Sequence, residues 1–309
     1  MSRGLHVLFL LSVTVLTCGG ILSAQQAVTQ PAVTQPAVAV ANEVHWFSDY
    51  GAALAAAKSQ QKMLLVFFCD PSGNSLCNRF QAETLSAPEV RKRMADYVCV
   101  QVPLDMRMTI QAGGNREEIT LLRHEAFEEM LGRPGIAIID YANRDAAYYK
   151  RVVSTFPVTQ KLWYTPDKML AILGLPAGTL TQRTLIYAVR THAERPGSTE
   201  GRLCSNLAAE ATEHSQYQAR IRRQGHHFWE TRFQRITRRL PGGLVASEVC
   251  AESWPGERLV EAAIECVRCW RLSSGHWSAV RARHDLYAYD MKRGSDGIWY
   301  ATGIFGQRR

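Results

Sequence analysis

Ser274-Gly275-His276-Trp277 fixes a histidine just past a glycine, and Glu252 and the pair His226-His227 lie upstream of it. Imidazoles and a carboxylate drawn from separate loops are what a fold needs to assemble a small polar or metal-binding pocket. No single helix presents all three groups, so tertiary structure has to bring them together. The structural alternative is that His276 closes the C-terminus of the preceding helix, where the helix dipole favours an imidazolium. Glu252 would then brace the loop by bonding to it. A second stretch able to do chemistry is Cys69-Asp70-Pro71-Ser72-Gly73-Asn74-Ser75-Leu76-Cys77, a loop running into a helix with a thiol at each end. It suits either thiol exchange or a structural disulfide.

The elements that position these groups sit in a chain of 309 residues, 46% apolar and 21% charged. That mix is globular, and the length allows two domains. The formal charge of +8 suggests an acidic partner or surface without specifying one. Residues 1–24 read as a secretory signal: Ser2-Arg3 is a short basic start, Val7 to Leu16 is apolar, and Leu22-Ser23-Ala24 ends in a small residue. An uncleaved anchor, or lipidation at Cys18, is the alternative that would tie the chain to a membrane. Residues 25–42 carry Val-Thr-Gln-Pro-Ala twice in tandem, uncharged and without aromatics up to Ala41, which predicts a flexible or extended tether. The protein is therefore expected to be secreted or periplasmic. Outside the cytoplasm the seven cysteines beyond the signal become candidates for disulfides, or else for small buried apolar side chains.

From Trp46 onward the pattern is α/β. Tyr50, Leu54 and Ala57 make a helical stripe, and Met63 to Phe68 is a continuous apolar strand. Ser86-Ala87-Pro88-Glu89 reads as a capping box. Val98 to Leu104 and Ile136 to Ile139 read as strands on either side of a helix over 117–131, and Lys168 to Leu173 as a further strand. A helix capped by Thr179 or Thr181 runs through Leu185, Ile186 and Val189. The order over about Trp46 to Asp140 resembles the thioredoxin-like fold, in its secreted thioredoxin-7 form. The resemblance rests on Leu64 to Phe68, the loop to Cys77, Leu85 to Val90, and Pro134. That family carries CxxC at the helix start, where the helix dipole lowers the first thiol's pKa. Here Asn74 stands in place of the attacking cysteine. The resemblance thus implies a redox-degenerate scaffold, with Pro134 at the family's groove-shaping cis-proline position. A thiol–disulfide oxidoreductase using Cys69 and Cys77 is the alternative. The domain is expected over 43–195, and a Pro/Gly-rich linker over 196–202.

The remainder, 203–309, opens on a helical stripe of Leu207, Ala211, His214, Gln218 and Ile221, which turns His214 toward the core. Arg220, Arg222, Arg223, Arg232, Arg235, Arg238 and Arg239 follow, read as a solvated helical face or an anionic docking site. No nucleic-acid motif accompanies them, and nucleic acid is not an expected partner. A helix carrying Leu259, Ala262, Ala263, Cys266 and Trp270 stops at Ser273-Ser274-Gly275. A hairpin through Lys292 to Gly297 joins strands over 286–290 and 298–305. The set Ala211-x-x-His214-Ser215, His226-His227, Glu248 to Ser253, Trp270 with Ser274-Gly275-His276, and Trp299 to Phe305 resembles the CAP superfamily of SCP-like extracellular proteins. The resemblance implies an α-β-α sandwich whose central cleft holds histidines able to bind zinc. His227 or its neighbour His226 would be the first histidine, His276 the second and Glu252 the acid, with Ser273 where the family has another glutamate. Beyond zinc no cofactor is implied. The expected function is a non-catalytic binding protein taking a protein, lipid or polysaccharide ligand outside the cytoplasm. A metal-assisted hydrolase at His227, Glu252 and His276 is the alternative.

Overall fold

The computed structural model describes residues 44–70, 75–112 and 115–308. The expected signal, tether and Cys18, and also Asn74, lie outside the described residues.

β1 (Trp46–Phe47) leads into α1 (Tyr50–Gln60), whose start is fixed by Asp49 accepting the Ala52 N–H at 2.6 Å. Only alanines, Ala53 and Ala57, are fully buried on α1, so the helix lies close on the sheet. β2 (Leu64–Phe68) is buried at every residue because both sheet faces are covered. α2 (Ser75–Phe80) and α3 (Pro88–Met94) follow on either side of a π-helical turn over Gln81–Leu85. Next come β3 (Val98–Val102), the hairpin of β4 (Arg107–Ala112) and β5 (Asn115–Thr120), β6 (Gly135–Ile139) and β7 (Val152–Pro157). The sheet order is β1-β3-β2-β6-β7, with β1, β3 and β2 parallel and β6 and β7 each antiparallel to the neighbour before it. α4 (Pro166–Leu173) and α5 (Leu180–Arg190) complete this half. α5 carries a full capping box between Thr179 and Gln182.

A buried turn, Gly197–Thr199, and β8 (Arg202–Leu203) lead to α6 (Ser205–Ile221) and α7 (Trp229–Arg239). Then follow β9 (Leu244–Glu252), α8 (Leu259–Leu272), α9 (Ser274–Arg281), β10 (Leu286–Arg293) and β11 (Trp299–Arg308). The second sheet runs β8-β10-β11-β9, antiparallel except for β8 on β10. Strand alternation gives it two apolar faces. Ala246, Leu286, Ala288 and Ile304 pack with Leu207 and Ala211 of α6. Val249, Ala251, Tyr287, Tyr289, Ala301 and Phe305 pack with Ala262, Cys266 and Trp270 of α8. The layering is helix, sheet, helix. One core cluster runs from Phe67 and Phe156 through Leu185 and Tyr187 to Trp270 and Tyr289, and the molecule is a mixed α/β protein. At the junction Asp290 accepts from Thr181 at 2.6 Å, Thr212 at 2.5 Å and Lys292 at 2.8 Å, tying α5, α6 and β10.

Several expected elements differ. The helix over 117–131 is β5 followed by short 3-10 turns. Extended backbone at His124 (ψ 137) breaks the run, and Glu117 and Glu118 sit in an antiparallel ladder with β4. The strand over 168–173 is α4, begun by Pro166 at its first turn, with Met169, Ile172 and Leu173 buried at helical spacing. Ser86 does not cap α3; Ala87 does, and the Ser86 hydroxyl donates back to the Gln81 carbonyl at 2.8 Å. Ser274-Gly275 does not follow a helix as a loop but opens α9. His276 therefore lies in the first turn of α9 rather than closing α8, so the C-terminal capping role does not arise. The Pro/Gly-rich stretch 196–202 is buried over Pro196–Thr199, with Ser198 bonded to the Tyr289 hydroxyl at 2.7 Å.

Candidate functional site

On β9 the side chains of Glu248, Cys250 and Glu252 all point to the α6 side, because their neighbours Val249 and Ala251 face α8. α6 brings His214 to the same face, 2% exposed. After α6 the chain turns through Gly225, whose φ of 155° suits glycine. The Gly225 N–H is taken by Gln218 at 3.1 Å, and its carbonyl accepts from His214 Nε2 at 2.9 Å. This turn separates the histidine pair. His226 points to Glu248, whereas His227 packs on the other side of His214, its Nε2 3.2 Å from the Arg223 carbonyl and its ring against Tyr217.

The centre of the cluster is Glu248, whose side chain is wholly buried. Its Oε2 accepts from Arg232 at 2.5 Å, and its Oε1 lies 3.0 Å from His226 Nδ1, 3.5 Å from Cys250 Sγ and 3.7 Å from His214 Nε2. Burial by itself would raise the Glu248 pKa, but the hydrogen bonds from His226 and Arg232 outweigh it and hold the carboxyl below its ordinary range. A carboxylate only accepts, so His226 carries its proton on Nδ1. Its Nε2 is then the acceptor for His276 Nε2, 3.1 Å away. His276 approaches from the first turn of α9. Burial, then the neighbouring His226, lower its pKa, and burial likewise lowers that of His214. Burial and the adjacent Glu248 push the Cys250 thiol well up. His226 is 40% exposed, so the cluster runs from the buried Glu248 out to solvent.

The expected acid, Glu252, is not part of this cluster. It stands at the solvent-exposed end of β9, paired in register with Tyr300, and its backbone carbonyl accepts from Cys269. Glu248, two strand repeats earlier on the same face, takes the place assigned to it. His226 rather than His227 meets His276. Ser273 caps α9 through its backbone, its carbonyl accepting the Trp277 N–H at 2.8 Å. Alternation along β9 is the signal that would have found Glu248 and Cys250, because both share a face with Glu252. Arg232 lay inside a run of arginines read as one face. α7 turns it inward to Glu248, while Arg235 and Arg239 reach Glu210 on α6.

In the first half, Cys69 directly follows β2 with its N–H bonded to the Val102 carbonyl, and Cys77 lies on α2; both are buried. Burial and the contact with Cys77 push the Cys69 thiol far above its ordinary value. Pro134 is buried directly before β6, its carbonyl accepting the Val158 N–H at 2.7 Å. Among the described residues no helix is long and apolar enough to cross a membrane.

No curated protein matches the chain. Among solved structures, an outer surface protein of Borrelia burgdorferi aligns at 20% identity with a TM-score of 0.29, over 35% of this chain and 78% of that one. A thioredoxin from Thermus thermophilus aligns at 22% identity with a TM-score of 0.19, over 25% of this chain and 72% of that one. Residues 45–140 match the thioredoxin-7 family, described as thioredoxin-like. The chain thus carries a thioredoxin-like domain, joined to a second α/β half that holds the histidine cluster.

Proposed function

We infer that this is an exported, non-catalytic binding protein, with a CAP-like second half carrying the ligand cleft and a redox-degenerate thioredoxin-like first half as scaffold. One observation carries the reading: Glu248, His226 and His276 converge from β9, the α6–α7 turn and α9 in a cluster that reaches solvent. The groups at its buried end are already paired, which suits recognition better than turnover. Both Glu248 oxygens already accept hydrogen bonds, from Arg232 and from His226. Glu252, the acid of the hydrolase alternative, sits elsewhere. Thiol exchange fares no better, since a buried thiol with a raised pKa is a poor nucleophile. The ligand class that fits is a protein, lipid or polysaccharide outside the cytoplasm.

Zinc fits the cleft in one respect. His226 Nε2 and His276 Nε2 face each other across a 3.1 Å hydrogen bond, a few tenths of an ångström short of the separation of about 3.3 Å between two nitrogens on one tetrahedral zinc. When bound there, zinc would supply a Lewis-acidic centre with positions left for ligand or water. Calorimetric titration of the purified chain with zinc tests the assignment. Binding should weaken at least about tenfold in His276→Ala, since that variant removes one of only two ligands, and stay unchanged in His227→Ala. The reverse pattern would refute the cleft as drawn.

A further inference from the structure

We propose a second metal-binding geometry at the buried end of this cleft, built on a cysteine: Cys250 Sγ, His226 Nδ1 and Glu248 Oε1, with His214 Nε2 as the fourth donor. It takes a borderline divalent cation such as zinc through a thiolate. The proposal rests on the cleft reading, because His226 belongs to both, but its ligands face the opposite side of the His226 ring from His276.

Distance is the first argument. In a tetrahedral zinc site with bonds of about 2.3 Å to sulfur and about 2.0–2.1 Å to nitrogen or oxygen, the ligand atoms stand about 3.3–3.6 Å apart. Here Sγ to Nδ1 is 3.7 Å, Sγ to Oε1 is 3.5 Å, Nδ1 to Oε1 is 3.0 Å, and Oε1 to His214 Nε2 is 3.7 Å. The donor atoms of His214, Glu248 and Cys250 all lie within 4.8 Å of one another. Of the six edges of a four-donor site, these four lie within a few tenths of an ångström of what a metal requires.

The surroundings are the second argument. Arg232 grips Glu248 Oε2 and leaves Oε1 aimed at the other donors, and His276 orients the His226 ring from its far nitrogen. Outer-shell contacts of this kind fix ligands in metal sites. Glu248 and Cys250 are separated by one strand repeat on β9, so their spacing is set by the sheet rather than by a loop. A thiolate with imidazoles selects zinc-like ions over magnesium and calcium, which prefer oxygen. On binding, the Cys250 S–H bond breaks, an S–metal bond forms and one proton leaves to solvent. The His226 proton passes from Nδ1 to Nε2, with His276 taking the complementary tautomer. His214 Nε2 gives up its bond to the Gly225 carbonyl, and its proton moves to Nδ1 as Nε2 turns to the metal.

The test is titration of the reduced full chain with cobalt(II) under anaerobic conditions, followed by absorption. A thiolate-to-cobalt charge-transfer band in the near ultraviolet should grow to one equivalent. It should vanish in Cys250→Ser and persist in Cys269→Ser. X-ray absorption at the zinc edge of the unmodified protein gives an answer independent of how any variant folds: a sulfur shell at about 2.3 Å is expected. Cobalt bound without a thiolate band, and lost in His276→Ala, would overturn the cysteine site while sparing the His226–His276 cleft. Failure of any metal to bind would remove both.

Discussion

Glu248→Ala is the perturbation with the largest consequence that the structure specifies. The carboxylate is wholly buried and its strongest partner, Arg232, has a side chain only 10% exposed. Removing the acid leaves the guanidinium in a pocket with little access to water. Breaking one partner of a buried pair costs about 3–5 kcal/mol, most of it the penalty of the stranded charge. At about 2–4 °C per kcal/mol for a chain of this size, the melting temperature should fall by about 6–20 °C. Arg232→Met in the same background removes the stranded charge. The double variant should therefore be more stable than Glu248→Ala alone by at least about 1 kcal/mol, a coupling of the size expected between contacting residues. Urea denaturation followed by circular dichroism reads both without screening the ion pair, as guanidinium would. The reasoning is refuted if Glu248→Ala costs less than about 1 kcal/mol, or if Arg232→Met adds its own destabilisation on top.

The remaining predictions concern acid, packing and thiols. Burial lowers the pKa values of His214, His276 and His284, so in the folded state these rings stay neutral at pH values where the unfolded chain takes up protons. Their stabilisation is full above about pH 6.5 and is lost as pH falls through that range. The depressed Glu248 adds a further loss below about pH 4.3. The urea midpoint should thus drop from pH 8 to pH 5, and His284→Phe should flatten that slope. A Cβ at Gly303 would stand 2.5 Å from the Tyr289 ring and 2.9 Å from Val249. Gly303→Ala should accordingly cost about 1–3 kcal/mol in the same assay. Insulin reduction by the native chain should not exceed the uncatalysed background; catalysis abolished by Cys77→Ser would reverse the scaffold reading.

Legibility in the sequence followed the physics of each element. Strands buried on both faces, such as Leu64–Phe68, announce themselves as apolar runs, and the stripe of Leu207, Ala211 and His214 reads directly as α6. The segment 117–131 misleads because its charges and apolar spacing suit a helix, while the hairpin ladder with β4 and the extended His124 are tertiary facts. Lys168–Leu173 misleads in the other direction, since a short apolar run does not distinguish a buried strand from a buried helix. In the site, the convergence of histidines was legible and the acid was not. Glu248 and Glu252 lie on one face of one strand, and only α7, through Arg232, and the Gly225 turn, through His226, decide which of them is enclosed.

The most direct test of the convergence is a long-range nitrogen–proton NMR spectrum of the histidine side chains at neutral pH. His226 should appear as the Nδ1-protonated tautomer, slowed in exchange by Glu248, and zinc should perturb His226 and His276 while leaving His227 unmoved. A freely exchanging Nε2-protonated His226, or a zinc response at His227 in its place, would contradict the account.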